Sequence, residues 1–255
     1  KQGLGRDERE SCNMNVAIFG DSFANGEIGN HNTAQKSHLG LTQYFTDDGH
    51  FVINFSKPGN WNEGILEDYR HFIFQNTHIN FDLAIIFQTE ISRQIDEWIE
   101  RVDDGASVRD VEHDMSEDFL KKLKHWQTKT EVPVFLIGGC GDLIDVDLAN
   151  KYGIEHVCQS LVNLVLNGNH EITEPVTSNV LTGNPTKVKS FERDIIDDKE
   201  YFLKLIEMGD LRKEQIKKNP KYFRNTLFNG DKGEDDIHPN REAYRVLYEY
   251  IMEQI

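Results

Sequence analysis

Three residues of this chain could together carry out acyl transfer: Ser22, Asp235 and His238. A serine hydroxyl is a poor nucleophile until a base takes its proton, and the base needs a group that fixes its orientation. His238 offers an imidazole. Asp235, three residues earlier in Asp235-Asp236-Ile237-His238-Pro239, offers a carboxylate, and Asp236 competes with it on spacing alone. A hydroxyl, an imidazole and a carboxylate in contact make the machinery of a serine hydrolase.

The elements around these residues decide whether they can meet. Ser22 follows the apolar run Val16-Ala17-Ile18-Phe19, which suits a short buried strand, and Gly20-Asp21-Ser22-Phe23-Ala24-Asn25-Gly26 breaks that run with turn formers. Asp21 suits a residue that holds the turn through its own backbone. Further strands are expected at 51–55, 81–87, 132–139 and 154–157, with Pro133 at the start of the fourth, where a missing donor does least harm. Helical periodicity marks 63–76, 91–102, 115–126, 197–211 and 240–255, the last with Asn240 as its N-cap. Short helices are read at 39–45 and 158–166, and 29–41 reads as a loop. Unbroken apolar strands separated by helices predict an α/β fold, a three-layer sandwich around a central parallel sheet. Residues 1–14 read as a polar arm and 15–255 as one domain, with an insertion or cap at about 168–236.

The three blocks Gly20-Asp21-Ser22, Asn54-Phe55-Ser56-Lys57-Pro58-Gly59 and Asp235-Asp236-Ile237-His238-Pro239 stand in an order that resembles the GDSL/SGNH hydrolase superfamily. The resemblance implies a flavodoxin-like sandwich with Ser22 as nucleophile, His238 as base and Asp235 as its orienting carboxylate. It also implies an oxyanion hole built from the backbone amides of Ser22 and Gly59. A glycine suits that second donor, because substrate can approach a backbone that carries no side chain. One block departs. After the third strand the family carries Gly-x-Asn-Asp, whose asparagine is a further oxyanion donor. Here the chain reads Phe87-Gln88-Thr89-Glu90-Ile91-Ser92-Arg93, which resembles divergent, phage-borne branches. Ionised Glu90 would oppose an oxyanion and Ile91 offers no donor, so Gln88, Thr89 or Asn60 is left to substitute.

Other signals have plainer readings. Glu27, His31 and His38 lack metal-ligand spacing, and no metal or organic cofactor is required. Asp142, Asp145 and Asp147 resemble part of a calcium loop, but its glycine and closing glutamate are misplaced, which favours a solvated loop. The three cysteines, Cys12, Cys140 and Cys158, are an odd count at unrelated spacings and fit a reducing compartment, with Cys140 and Cys158 as packed thiols. Trp61 either lines a substrate pocket or covers the sheet edge. With 28 Lys and Arg against 44 Asp and Glu, the net charge of −16 disfavours nucleic acid and anionic membrane surfaces as partners. No apolar run reaches membrane-spanning length and no signal peptide is seen, so a cytoplasmic or virion-associated protein is expected.

The function expected is therefore an esterase that removes a small acyl group, such as acetyl, from a carbohydrate or other small carrier. The alternatives are acyl transfer to a nucleophile other than water, and a binding or structural module of the same fold, such as a phage or virion component, that has lost efficient turnover.

Overall fold

The computed structural model describes residues 13–30, 35–75, 78–89, 108–138, 144–159, 161, 164, 239 and 241–255. In chain order these form β1 (Asn15–Phe19), α1 (Ser22–Asn25), β2 (Glu27–Asn30), β3 (Gln35–His38), α2 (Leu41–Asp47), β4 (Phe51–Asn54) and α3 (Asn62–Gln75). They continue with β5 (Leu83–Gln88), α4 (Val108–Gln127), β6 (Val134–Gly138), α5 (Val146–Lys151), β7 (His156–Cys158) and α6 (Arg241–Gln254). The expected helices at 91–102 and 197–211, the cap at 168–236, residues 1–12 of the arm, Asn240 as an N-cap and most of the helix at 158–166 lie outside the described residues.

Five strands form one parallel sheet in the order β4-β1-β5-β6-β7. Strands buried on both faces carry apolar residues on both, and β1, β5 and β6 do. Their alternation divides the core in two. Val16, Ile18, Leu83, Ile85 and Phe87 face one layer, made by α1, α2 and α6. Ala17, Phe19, Ala84 and Ile86 face the other, made by α3, α4 and α5. This is the three-layer α/β sandwich read from the sequence.

The segment read as a loop over 29–41 differs. It holds an antiparallel two-stranded sheet, β2 with β3, in which Glu27 pairs with His38 and the register shifts twice. Neither strand shows apolar alternation in its sequence, Glu-Ile-Gly-Asn or Gln-Lys-Ser-His, so the signal that marks a half-buried strand is missing. Helix α4 also begins earlier than its periodicity suggested, at Val108 instead of Met115.

The sheet order sets where a site can form. From β1 the chain crosses to β4 on one side, then returns past β1 to β5 on the other. Loops leaving the carboxyl ends of β1 and β5 therefore diverge, and such a switch point opens a crevice in parallel α/β sheets. Ser22 follows β1 there, and Thr89 follows β5.

Candidate active site

Gly20 carries the chain out of β1 against β5. A Cβ at this position would lie 2.7 Å from the Cβ of Ala24 and 2.8 Å from that of Phe87, so the close approach requires glycine. Asp21 then caps the turn: its Oδ1 accepts from the amide of Phe23 at 2.8 Å, the holding role expected of it. Ser22 opens α1 and is buried, as are Asp21, Phe23 and Ala24.

Two further segments are tied to this turn. After β4, the amide of Phe55 donates to the carbonyl of Ile18 at 2.8 Å and that of Lys57 to the carbonyl of Gly20 at 3.0 Å. The side chain of Asn54 donates to the carbonyl of Ala24 and to Thr42 Oγ1, both at 2.9 Å, while its Oδ1 accepts from the amide of Ser56 at 2.9 Å. These bonds lay the Lys57-Pro58-Gly59-Asn60 turn alongside the serine turn. Gly59 has φ +77°, a left-handed conformation that favours glycine. It is exposed, and a Cβ there would meet nothing within 4 Å. The next residue, Asn60, donates from Nδ2 to Asp68 at 3.2 Å and accepts from the amide of Trp61 at 3.1 Å; Lys57 pairs with the same Asp68.

At the end of β5, Thr89 is buried and its hydroxyl donates to Asp21 Oδ2 at 3.1 Å. Its backbone pairs with the side chain of Asn62, which opens α3: the Thr89 amide donates to Asn62 Oδ1 at 2.9 Å and Asn62 Nδ2 donates to the Thr89 carbonyl at 3.0 Å. Gln88 is also buried, and alternation along β5 puts it on the side of Ala84 and Ile86. None of the hydrogen bonds among the described residues uses its side-chain amide.

Of the residues singled out from the sequence, Ser22, Gly59, Asn60, Gln88 and Thr89 thus stand on three segments that meet at the β1–β5 switch point. His238 and Asp235 lie outside the described residues. The helix that follows them is firmly placed: Tyr44 Oη donates to the carbonyl of Arg241, and Tyr244 Oη to the carbonyl of Phe23, each at 2.9 Å. Pro239, between His238 and that helix, is buried.

Sequence reasoning missed Asn62, Asn54 as a tie, and Tyr244. Each acts on a residue far away in the chain, 27 positions from Asn62 to Thr89 and 221 from Tyr244 to Phe23. A small amide at the first residue of a helix was the one local hint of Asn62.

The remaining candidates resolve into structural roles. Asp145, read as part of a solvated loop, is the N-cap of α5 and accepts from the amide of Leu148 at 2.9 Å. Nδ1 of His38 accepts from the amide of Gly40 at 3.1 Å. Cys158 is buried, while Cys12, Cys140, His31 and Asp142 lie outside the described residues. Trp61 is 53% exposed. Among the described residues no group of three His, Cys, Asp or Glu could hold a metal ion, and no helix is long and apolar enough to cross a membrane.

No family model matches the chain, and no curated protein matches it. Solved structures with a similar course of the chain include a member of the lipolytic G-D-S-L family from Veillonella parvula. It is 14% identical with a TM-score of 0.37, covering 94% of this chain and 97% of that one. An acetylxylan esterase from Geobacillus stearothermophilus is 11% identical with a TM-score of 0.38, covering 94% and 93%. An α/β hydrolase from the metagenome of Lake Arreo, Spain, is 14% identical with a TM-score of 0.40, covering 94% of each chain. These three are a lipolytic G-D-S-L family member, an acetylxylan esterase and an α/β hydrolase, at identities where no residue-by-residue correspondence follows.

Proposed function

We propose that this protein is a serine ester hydrolase that removes a small acyl group, such as acetyl, from a carbohydrate or other small carrier. The observation that carries the reading is the buried Ser22 turn at the β1–β5 switch point, braced by Asp21 and Thr89 and flanked by an open glycine. In this reading Ser22 attacks the acyl carbonyl while His238 takes its proton, and Asp235 stabilises the imidazolium. His238 then returns the proton to the leaving alkoxide, and later takes one from the water that hydrolyses the acyl-enzyme. What supports His238 in this role is its position three residues before α6, the helix bonded to the carbonyl of Phe23, next to Ser22.

The amides of Ser22 and Gly59 are assigned to the oxyanion. Each such donor is typically worth about 3 kcal/mol of barrier. The third donor is drawn from Gln88, Thr89 and Asn60: the hydroxyl and amide of Thr89 donate to Asp21 and Asn62, Asn60 donates to Asp68, and Gln88 lies on the side of Ala84 and Ile86. The acyl size follows only from the likeness of the three sequence blocks to the GDSL/SGNH superfamily.

A fluorophosphonate probe tests this. It should modify Ser22, with the label lost in Ser22→Ala. On p-nitrophenyl acetate, Ser22→Ala and His238→Ala should each lose at least about a hundredfold in kcat. A folded protein that takes no label would instead favour the binding module, and product analysis with competing alcohols separates hydrolysis from acyl transfer.

A further inference from the structure

The bonds around Thr89 form a chain that crosses all three segments of the site. Asn62 begins it from α3. Among the described residues, the pairing of β1 with β5 runs to Phe19↔Ile86 and that of β6 with β5 to Gly138↔Gln88, one residue short of Thr89. Thr89 is 2% exposed, and buried peptide groups left without partners are costly. The carboxamide of Asn62, itself 4% exposed, pairs with both, as one more rung of sheet would. That pairing fixes the backbone of Thr89, and its hydroxyl passes the constraint to Asp21 Oδ2. The other oxygen of Asp21 holds the amide of Phe23 and with it the turn that presents Ser22.

We propose that Asn62 and Thr89 are positioning residues for the nucleophile. They act through Asp21, so that the divergent block after β5 aims Ser22 where a family asparagine would have donated to the oxyanion. This rests on the esterase reading of Ser22. It goes beyond that reading in giving the third block a different task. A pair that only satisfied buried groups would affect folding; a positioning pair also sets the rate at which Ser22 is acylated in the folded protein.

The test is Thr89→Val, which keeps the shape and removes the hydroxyl, alongside Thr89→Ser, which restores it. In wild type the fluorophosphonate labels Ser22. In folded Thr89→Val, the second-order rate of that labelling should fall about tenfold to a hundredfold, the cost of a slightly misaimed reacting atom. With p-nitrophenyl acetate, kcat should fall by a similar factor while KM stays within about twofold, and Thr89→Ser should recover to within about threefold of wild type. Should Thr89→Val not fold, Thr89→Ala removes the same hydroxyl without a β-branch to misplace. Labelling of the folded variant at the wild-type rate, or a Thr89→Ser as slow as Thr89→Val, overturns the inference while leaving the esterase intact. An unlabelled, folded wild type removes both.

Discussion

The two helical layers of this protein both bury apolar residues against the sheet, and they differ in the contacts added to that burial. On the face of α3, α4 and α5 the contacts are rings: Phe72 meets Phe81, Phe19 and Phe55 edge-on, with centroids 4.6, 5.2 and 5.5 Å away, and Phe19 stacks on Phe55 at 5.1 Å. On the face of α1, α2 and α6 four tyrosine hydroxyls reach across the layer. Tyr44 donates to Arg241, Tyr244 to Phe23, Tyr250 to Val157, and Tyr248 to Asp48 Oδ2 at 2.5 Å. Burial and the Asp48 carboxylate push the Tyr248 hydroxyl far above its usual titration range, so it stays a donor at any physiological pH. Apolar burial is strong but non-directional, whereas a hydrogen bond fixes a direction. The layer that fixes directions is the one that carries Ser22 and the helix following His238. The face of α3, α4 and α5 thus contributes mainly stability, with the Asn62–Thr89 pair as its tie to the site, while the face of Ser22 adds direction to an apolar core of its own.

The largest expected effect breaks the stabilising face. Phe72→Ala should cost about 3–5 kcal/mol, as large-to-small core changes in aromatic clusters do. Urea unfolding measures it. The labelling rate of the fraction that remains folded should match wild type, and a rate that falls along with stability would erase the division of labour. Tyr244→Phe probes the opposite face. It removes the hydrogen bond that the Tyr244 hydroxyl gives the carbonyl of Phe23, at about 1–3 kcal/mol. Here the labelling rate should fall in the folded protein, because α1 and α6 lose this bond. A variant that is destabilised yet labels at the wild-type rate would show that this bond only stabilises.

The same contrast explains what could be read from the sequence. Burial writes itself into local pattern: the runs Val16–Phe19 and Leu83–Phe87 announced buried parallel strands, and Ala243, Leu247 and Ile251 announced the inner face of α6. The positions of Ser22, Gly59 and Thr89 after their strands were legible for the same reason. The bonds that join them were not. Whether Asn62 meets Thr89, or Tyr244 meets Phe23, depends on where two distant segments arrive, and no residue spacing encodes that. The β2–β3 hairpin was missed for the opposite cause, since backbone pairing between polar strands leaves no mark on side-chain pattern.

A smaller effect is expected at Tyr69, where the stabilising face carries a polar group. Its hydroxyl is buried, and the Thr130 hydroxyl beside it, which also bonds the carbonyl of Gln127 and the amide of Val132, lies outside good hydrogen-bond geometry and offers at most a weak contact. Tyr69→Phe removes that group with little change of shape, so stability at pH 7 should be unchanged or higher by up to about 1 kcal/mol. Burial also pushes the Tyr69 hydroxyl from 10 up to about 12. A raised pKa contributes stability that is full below the unfolded value and is lost as pH rises through the folded one. Wild type should therefore lose stability relative to Tyr69→Phe between about pH 10 and 12. A loss of stability in the variant at pH 7 would mean that the hydroxyl has a partner after all.

The smallest effect lies on the outer surface of the same face, where Glu117 of α4 holds the C-terminal end of α5. Tyr152 Oη donates to its Oε1 at 2.5 Å, Lys151 to the same oxygen at 2.9 Å, and Lys121 approaches Oε2 at 3.3 Å. The Tyr152 hydrogen bond first, then that of Lys151, hold the carboxyl down from 4.5 to about 2. A depressed carboxylate contributes stability that is full above the unfolded value and disappears as pH falls through the folded one. The gap in urea midpoint between wild type and Glu117→Gln should thus be constant from neutral pH to about 5, then close between about 4.5 and 2. Because Glu117 binds two helices of the stabilising layer and none of the segments that brace Ser22, the labelling rate at neutral pH should not change. A gap of the same size at pH 3 as at pH 7 would assign the contact to shape alone. A slower label would carry the influence of this layer into the site, and the separation of the two faces would fail where it was expected to be cleanest.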